Sequence, residues 1–169
     1  FTLNGGGSGE NITGASVTGN VVAGNYIGVN AAGTAGLSNG TVGVMVLAAA
    51  QNNIIGTNGD GTSDTVERNI ISGQTGNYGV YVAGTNTSGN RVSGNYIGLN
   101  AAGSAAIANY TGVYIGEAAS SNFIGTNGDG TNDTIEGNVI SGNTTYGVTI
   151  YGAGTNSNKV SGNYIGLNS

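Results

Sequence analysis

The heptapeptide GNYIGLN occurs at Gly94–Asn100 and again at Gly162–Asn168, and a near-copy, GNYIGVN, fills Gly24–Asn30. The copies start 70 and 68 residues apart, and IIGTNGDGT and FIGTNGDGT place Gly56 and Gly125 69 residues apart. A long fixed period means a stacked array, because each unit can bury its apolar side only against its neighbours. A shorter rhythm lies inside the unit: a Gly-Val-x-Val/Ile motif puts Val44, Val80, Val113 and Val148 at steps of 36, 33 and 35 residues. Each unit of about 69 residues therefore holds two coils.

Each coil carries three short, β-branched, alternating segments separated by Gly, Asn and Thr, as in Asn90–Ser93, Asn95–Leu99 and Gly112–Ile115. Segments of that length and pattern are strands, not helices. Three strands per coil, stacked coil upon coil about 4.8 Å apart, make an all-β parallel β-helix of about five coils. The whole chain, 1–169, reads as one such repeat domain. Alternation turns Val80, Val82, Val113, Ile115, Val148 and Ile150 inward and Tyr81, Tyr114 and Thr149 outward. Ile97 and Leu99 are core and Tyr96 is surface. Val22, Ile55, Val92, Ile124 and Val160 form a second inward column. Recurrent Asn at strand edges (Asn20, Asn90, Asn138, Asn158) suits bends that need left-handed backbone and allows side-chain ladders.

About 34 residues per coil exceeds what three short strands need, so the surplus is expected in loops, where any chemistry would sit. Two loop types alternate, Ala31–Thr41 with Ala101–Thr111, and Thr57–Arg68 with Thr126–Gly137.

Composition supports a repeat scaffold and excludes several classes. Gly supplies 35 of 169 residues with no Pro, and charged residues are only 7%, which fits neither collagen nor an ordinary globular surface. With a net charge of −5 and only Arg68, Arg91 and Lys159 as cations, the chain has no stripe to neutralise phosphates, so nucleic acid is not an expected partner. No apolar run approaches the length of a membrane-spanning helix, and membrane insertion is not expected. Absence of cysteine is compatible with a secreted surface protein and is a weak signal.

The strings NRVSGNYIGLNAAGSAA, NVISGN and YGVTI resemble the right-handed parallel β-helix repeats of very long bacterial surface and secreted adhesin-like proteins. The resemblance covers essentially the whole chain. It implies right-handed winding, display outside the cell or on its surface, and an adhesive, stalk or filament role. It implies no catalytic residues. The acidic NGDGTxDTxE loop departs from the repeats by being longer and more charged.

Those loops are the first candidate site. Counted from Gly56, Asn58, Asp60, Gly61, Asp64 and Glu67 fall at the third, fifth, sixth, ninth and twelfth places of a twelve-residue calcium loop, and Asn127, Asp129, Gly130, Asp133 and Glu136 repeat them. Oxygen ligands around a Gly turn suit calcium. The first place is Gly and the eighth is Ser63 or Asn132, which breaks the pattern. The competing reading is an Asx-rich turn whose side chains cap backbone N–H groups. No cofactor is required, and calcium is the one ion these loops invite.

The outward tyrosines are the second candidate. Tyr26, Tyr96 and Tyr164 should line one face at every second coil, and Tyr81 and Tyr114 should be neighbours on another. Regularly spaced rings suit a polysaccharide or a partner surface, while β propensity and ring stacking explain them equally. Cleavage of polysaccharide finds less support, since there is no His and the cations look scattered; Asp60 with Asp64 is the nearest acid pair. The expected function is a structural or adhesive extracellular segment, with a polysaccharide-binding or polysaccharide-cleaving β-helix as the alternative. The expected partners are further copies or coils of the same kind, end to end, and possible polysaccharide or cell-surface targets. Neither end carries an amphipathic helix, so the chain is expected to continue into further coils or to stack head to tail.

Overall fold

A computed structural model describes residues 7–166. Phe1 and Ser169, whose place in the register was part of the end-to-end expectation, lie outside the described residues. The described chain winds as a right-handed parallel β-solenoid with three strands per coil, the hand that sequential parallel strands almost always take.

Three five-stranded parallel sheets run the length of the stack. The first holds Glu10–Thr13, Val44–Leu47, Tyr78–Ala83, Thr111–Gly116 and Tyr146–Tyr151. The second holds Val21–Val22, Ile54–Gly56, Arg91–Ser93, Phe123–Gly125 and Lys159–Ser161. The third holds Tyr26–Ile27, Ile70–Ile71, Tyr96–Ile97, Val139–Ile140 and Tyr164–Ile165. Among the described residues, pairing between strands is parallel, and antiparallel bridges occur inside loops, at Val29 with Gly36 and Leu99 with Ala106.

Register places the expected columns in line. Val44, Val80, Val113 and Val148 follow one another in the first sheet, and Val22, Ile55, Val92, Ile124 and Val160 in the second. Val44, Val80 and Val113 are fully buried, as are Ile71, Ile97 and Ile140 of the third sheet. Each buried aliphatic side chain contributes about 1.5–3 kcal/mol. In the last described coil the residues inward by register, Ile150 and Ile165, are exposed.

Asn sets the corners in side-chain ladders, as expected, with one correction to its backbone. Asn20, Asn53, Asn90, Asn122 and Asn158 form a ladder in which each Nδ2 donates to the next Oδ1 at 2.8–3.1 Å. Asn138 is not in it. It belongs to a second ladder, Asn25, Asn69, Asn95, Asn138 and Asn163, with links of 2.8–3.2 Å. The ladder Asn do not themselves take the left-handed backbone. In the first ladder the residue before each one does, at Gly19, Asn52, Gly89, Ser121 and Ser157, and in the second Gly24, Gly94 and Gly162 do.

Each letter of GNYIG then has a physical cause. Gly94 turns the corner at φ 71, Asn95 joins the ladder, Tyr96 points out and Ile97 fills the core. Gly98 has φ 89, and a Cβ there would stand 2.3 Å from the Ser141 carbonyl oxygen of the next coil. Only Gly fits that close approach.

Candidate functional site

The acidic loops leave the corner between the second and third sheets and carry six of the eight acidic residues. Their side chains fold back on their own backbone. In the first loop the Thr57 hydroxyl donates to Asp64, which is almost completely buried. Glu67 accepts the Asn58 N–H at 3.1 Å, Asn58 accepts the Asp60 N–H at 2.9 Å, and Asp60 accepts the Thr62 N–H at 2.7 Å.

The second loop repeats every one of these contacts. Thr126 donates to Asp133, Glu136 accepts from Asn127 N–H at 3.0 Å, Asn127 from Asp129 N–H at 2.9 Å, and Asp129 from Thr131 N–H at 2.7 Å. Here Asp133 also accepts the Gly130 N–H at 3.0 Å, and Asp133–Glu136 closes one helical turn. The Thr131 N–H, followed by the Asn127 amide, holds the Asp129 carboxyl below its ordinary pKa. This is the arrangement of Asx turns and caps. Among the described residues no three acidic side chains converge as a metal cluster would.

What the sequence did not reveal is where the cations go. Arg68, Arg91 and Lys159 look scattered along the chain, yet all three reach carbonyls at this one corner. Arg91 donates to Asn58 O at 3.4 Å and pairs with the buried Glu136. Lys159 donates to Asn127 O at 3.0 Å. Asn58 and Asn127 are equivalent loop positions and Arg91 and Lys159 equivalent strand positions, so one contact is made twice, from each loop to the coil beyond it. Matching those two offsets in the sequence would have exposed the pair. Arg68 donates to Gly94 O at 3.1 Å and its guanidinium lies 4.1 Å over the Tyr96 ring. The two loops also meet directly, through Asn132 Nδ2 and Gly59 O at 3.2 Å.

The tyrosines divide into two groups. In the third sheet Tyr26, Ile70, Tyr96, Val139 and Tyr164 share one outward column, as the every-second-coil expectation has it. Ile70 is nevertheless buried, sandwiched between tyrosines, and Tyr96 is capped by Arg68. In the first sheet Tyr81 and Tyr114 stack at 5.1 Å between centroids and 11° between planes. Tyr78 joins them at 5.1 and 4.9 Å, a member not foreseen because strict alternation with Val80 and Val82 would turn it inward. The Tyr81 hydroxyl donates to Glu117 at 2.6 Å. Partial burial, then that carboxylate, pushes the Tyr81 phenol well above its ordinary pKa, and partial burial also raises Tyr114. The Tyr81 and Tyr114 rings thus face each other rather than forming one flat platform. Beside them, toward the preceding coil, lies a depression of about 330 Å³ walled by Val42, Met45, Tyr78 and Tyr81, with Thr41 and Asn77 at its rim.

No protein-family model, no curated protein and no solved structure matches this chain.

Proposed function

We propose that this chain is a structural element, a rigid solenoid segment of an extracellular stalk or fibre. The observation that carries the reading is the use made of charge. Arg68, Arg91 and Lys159 all bind backbone carbonyls, and Asp64, Glu67, Asp133 and Glu136 all accept from their own loops. Polar chemistry of this kind stiffens the contact between coils. Further coils of the same kind are the end-to-end partner that a parallel stack of this type would take, since each strand pairs with its equivalent in the next coil. Surface display and adhesion rest on the repeat resemblance.

Affinity electrophoresis through gels containing neutral and uronate polysaccharides tests the reading against its polysaccharide-binding rival. Unretarded migration is the expected outcome. Retardation that disappears in the Tyr81→Ala, Tyr114→Ala double variant would replace the structural reading with a binding one.

A further inference from the structure

The depression on the first sheet has a composition that goes beyond scaffolding. Tyr81 is covered on one face by Tyr114, so its opposite face turns toward the preceding coil, where register places Met45. Tyr81, Tyr78 and Met45 line, with Thr41, Val42 and Asn77, a space of about 330 Å³, at the lower end of small-molecule sites, roughly 300 Å³ and upward. The walls are apolar, which disfavours a ligand held by many hydrogen bonds.

Electrostatics select the sign of the ligand. A phenol that donates to a carboxylate gains electron density, and Tyr81 donates to Glu117 at 2.6 Å, so its ring face is the more attractive to a cation. The chain carries a net charge of −5, and its three basic side chains are all engaged at a different corner. None stands on the first sheet to repel a cation. Methionine adapts its shape to an irregular apolar surface and its sulfur is polarizable.

We infer that the Met45–Tyr78–Tyr81 depression binds a quaternary ammonium group, an apolar cation that sits on the Tyr81 face and needs no hydrogen bond. Such a group occurs free, as in choline, or on a lipid headgroup.

Choline chloride is the probe, titrated while the tyrosine ring signals are followed by NMR. The expected result is a saturable shift of Tyr78 and Tyr81. The neutral isostere, with a tert-butyl group in place of trimethylammonium, is expected to bind about ten-fold more weakly, in the range a desolvated cation–π contact supports. Tyr81→Phe keeps the ring but loses Glu117, and should weaken choline several-fold. Met45→Lys places a like charge in the depression and should abolish binding while far-UV circular dichroism stays unchanged. Equal binding of choline and its isostere, no saturation, or a Met45→Lys variant that binds normally would each overturn the assignment. Co-sedimentation with phosphatidylcholine vesicles would identify the source as a membrane surface; choline binding without it would identify the free cation.

Discussion

At the scale of single residues, the fold depends on places where only one side chain fits. Gly56 has φ 106, and a Cβ there would lie 1.8 Å from the Ser93 carbonyl oxygen in the next coil. Its repeat partner, Gly125, meets Ser161 O at 2.0 Å in the same way. Gly56→Ala is therefore expected to destabilise the solenoid by on the order of 3 kcal/mol, from left-handed strain plus the backbone clash. Gly76, which has open space around it, is the comparison site, and Gly76→Ala should change stability by less than about 0.5 kcal/mol. Equal urea midpoints for the two variants would contradict this account of the invariant repeat glycines. Such positions are half legible in sequence: repetition marks Gly56 as special, but the carbonyl it must avoid lies 37 residues further along.

At the scale of elements, each acidic loop is a self-capped turn that the following coil holds in place. Arg91 is the centre of this arrangement, bound to Asn58 O in one loop and to Glu136 in the next. Removing it leaves the buried Glu136 carboxylate without its cation, a change that costs about 3–5 kcal/mol when a buried pair is broken. Partial exposure of Arg91 lowers the expectation for Arg91→Met to about 2 kcal/mol. The companion variant Arg91→Met, Glu136→Gln should recover part of that loss, as a thermal-melt double-mutant cycle would measure. Strictly additive losses would mean that the pair is not coupled. The loops themselves were legible as insertions with their acidic pattern. Their partners were not, because periodicity locates a loop but does not say which distant side chain grips it. Tyr78 shows a related limit, since its ring packs beside Tyr81 and Tyr114 although strict alternation with Val80 and Val82 would turn it inward.

At the scale of the whole molecule, period, coil number, inward columns and parallel stacking were all readable from spacing alone, since a solenoid repeats its contacts at the period of its sequence. Which Asn stacks on which was not readable, because more than one corner uses the same residue type. The two Asn ladders, buried through the middle coils, the further amide contacts of Gln74, Asn109 and Asn143, and an aliphatic core together make the stack one unit. The ladders bind coil to coil through the interior, beyond what the surface contacts contribute. Asn90 accepts the Asn53 N–H at 3.1 Å and its Nδ2 at 2.9 Å, and donates to Ala50 O and Asn122 Oδ1, both at 3.0 Å. Asn90→Ala strips several buried groups of their partners at about 1–3 kcal/mol each. Asn156 is exposed, and its truncation should cost less than about 0.5 kcal/mol. The deciding measurement is equilibrium urea unfolding of Asn90→Ala beside Asn156→Ala. Asn90→Ala is expected to lose about 3 kcal/mol or more while Asn156→Ala unfolds with the parent chain; the two variants unfolding together would contradict the role given to the ladders.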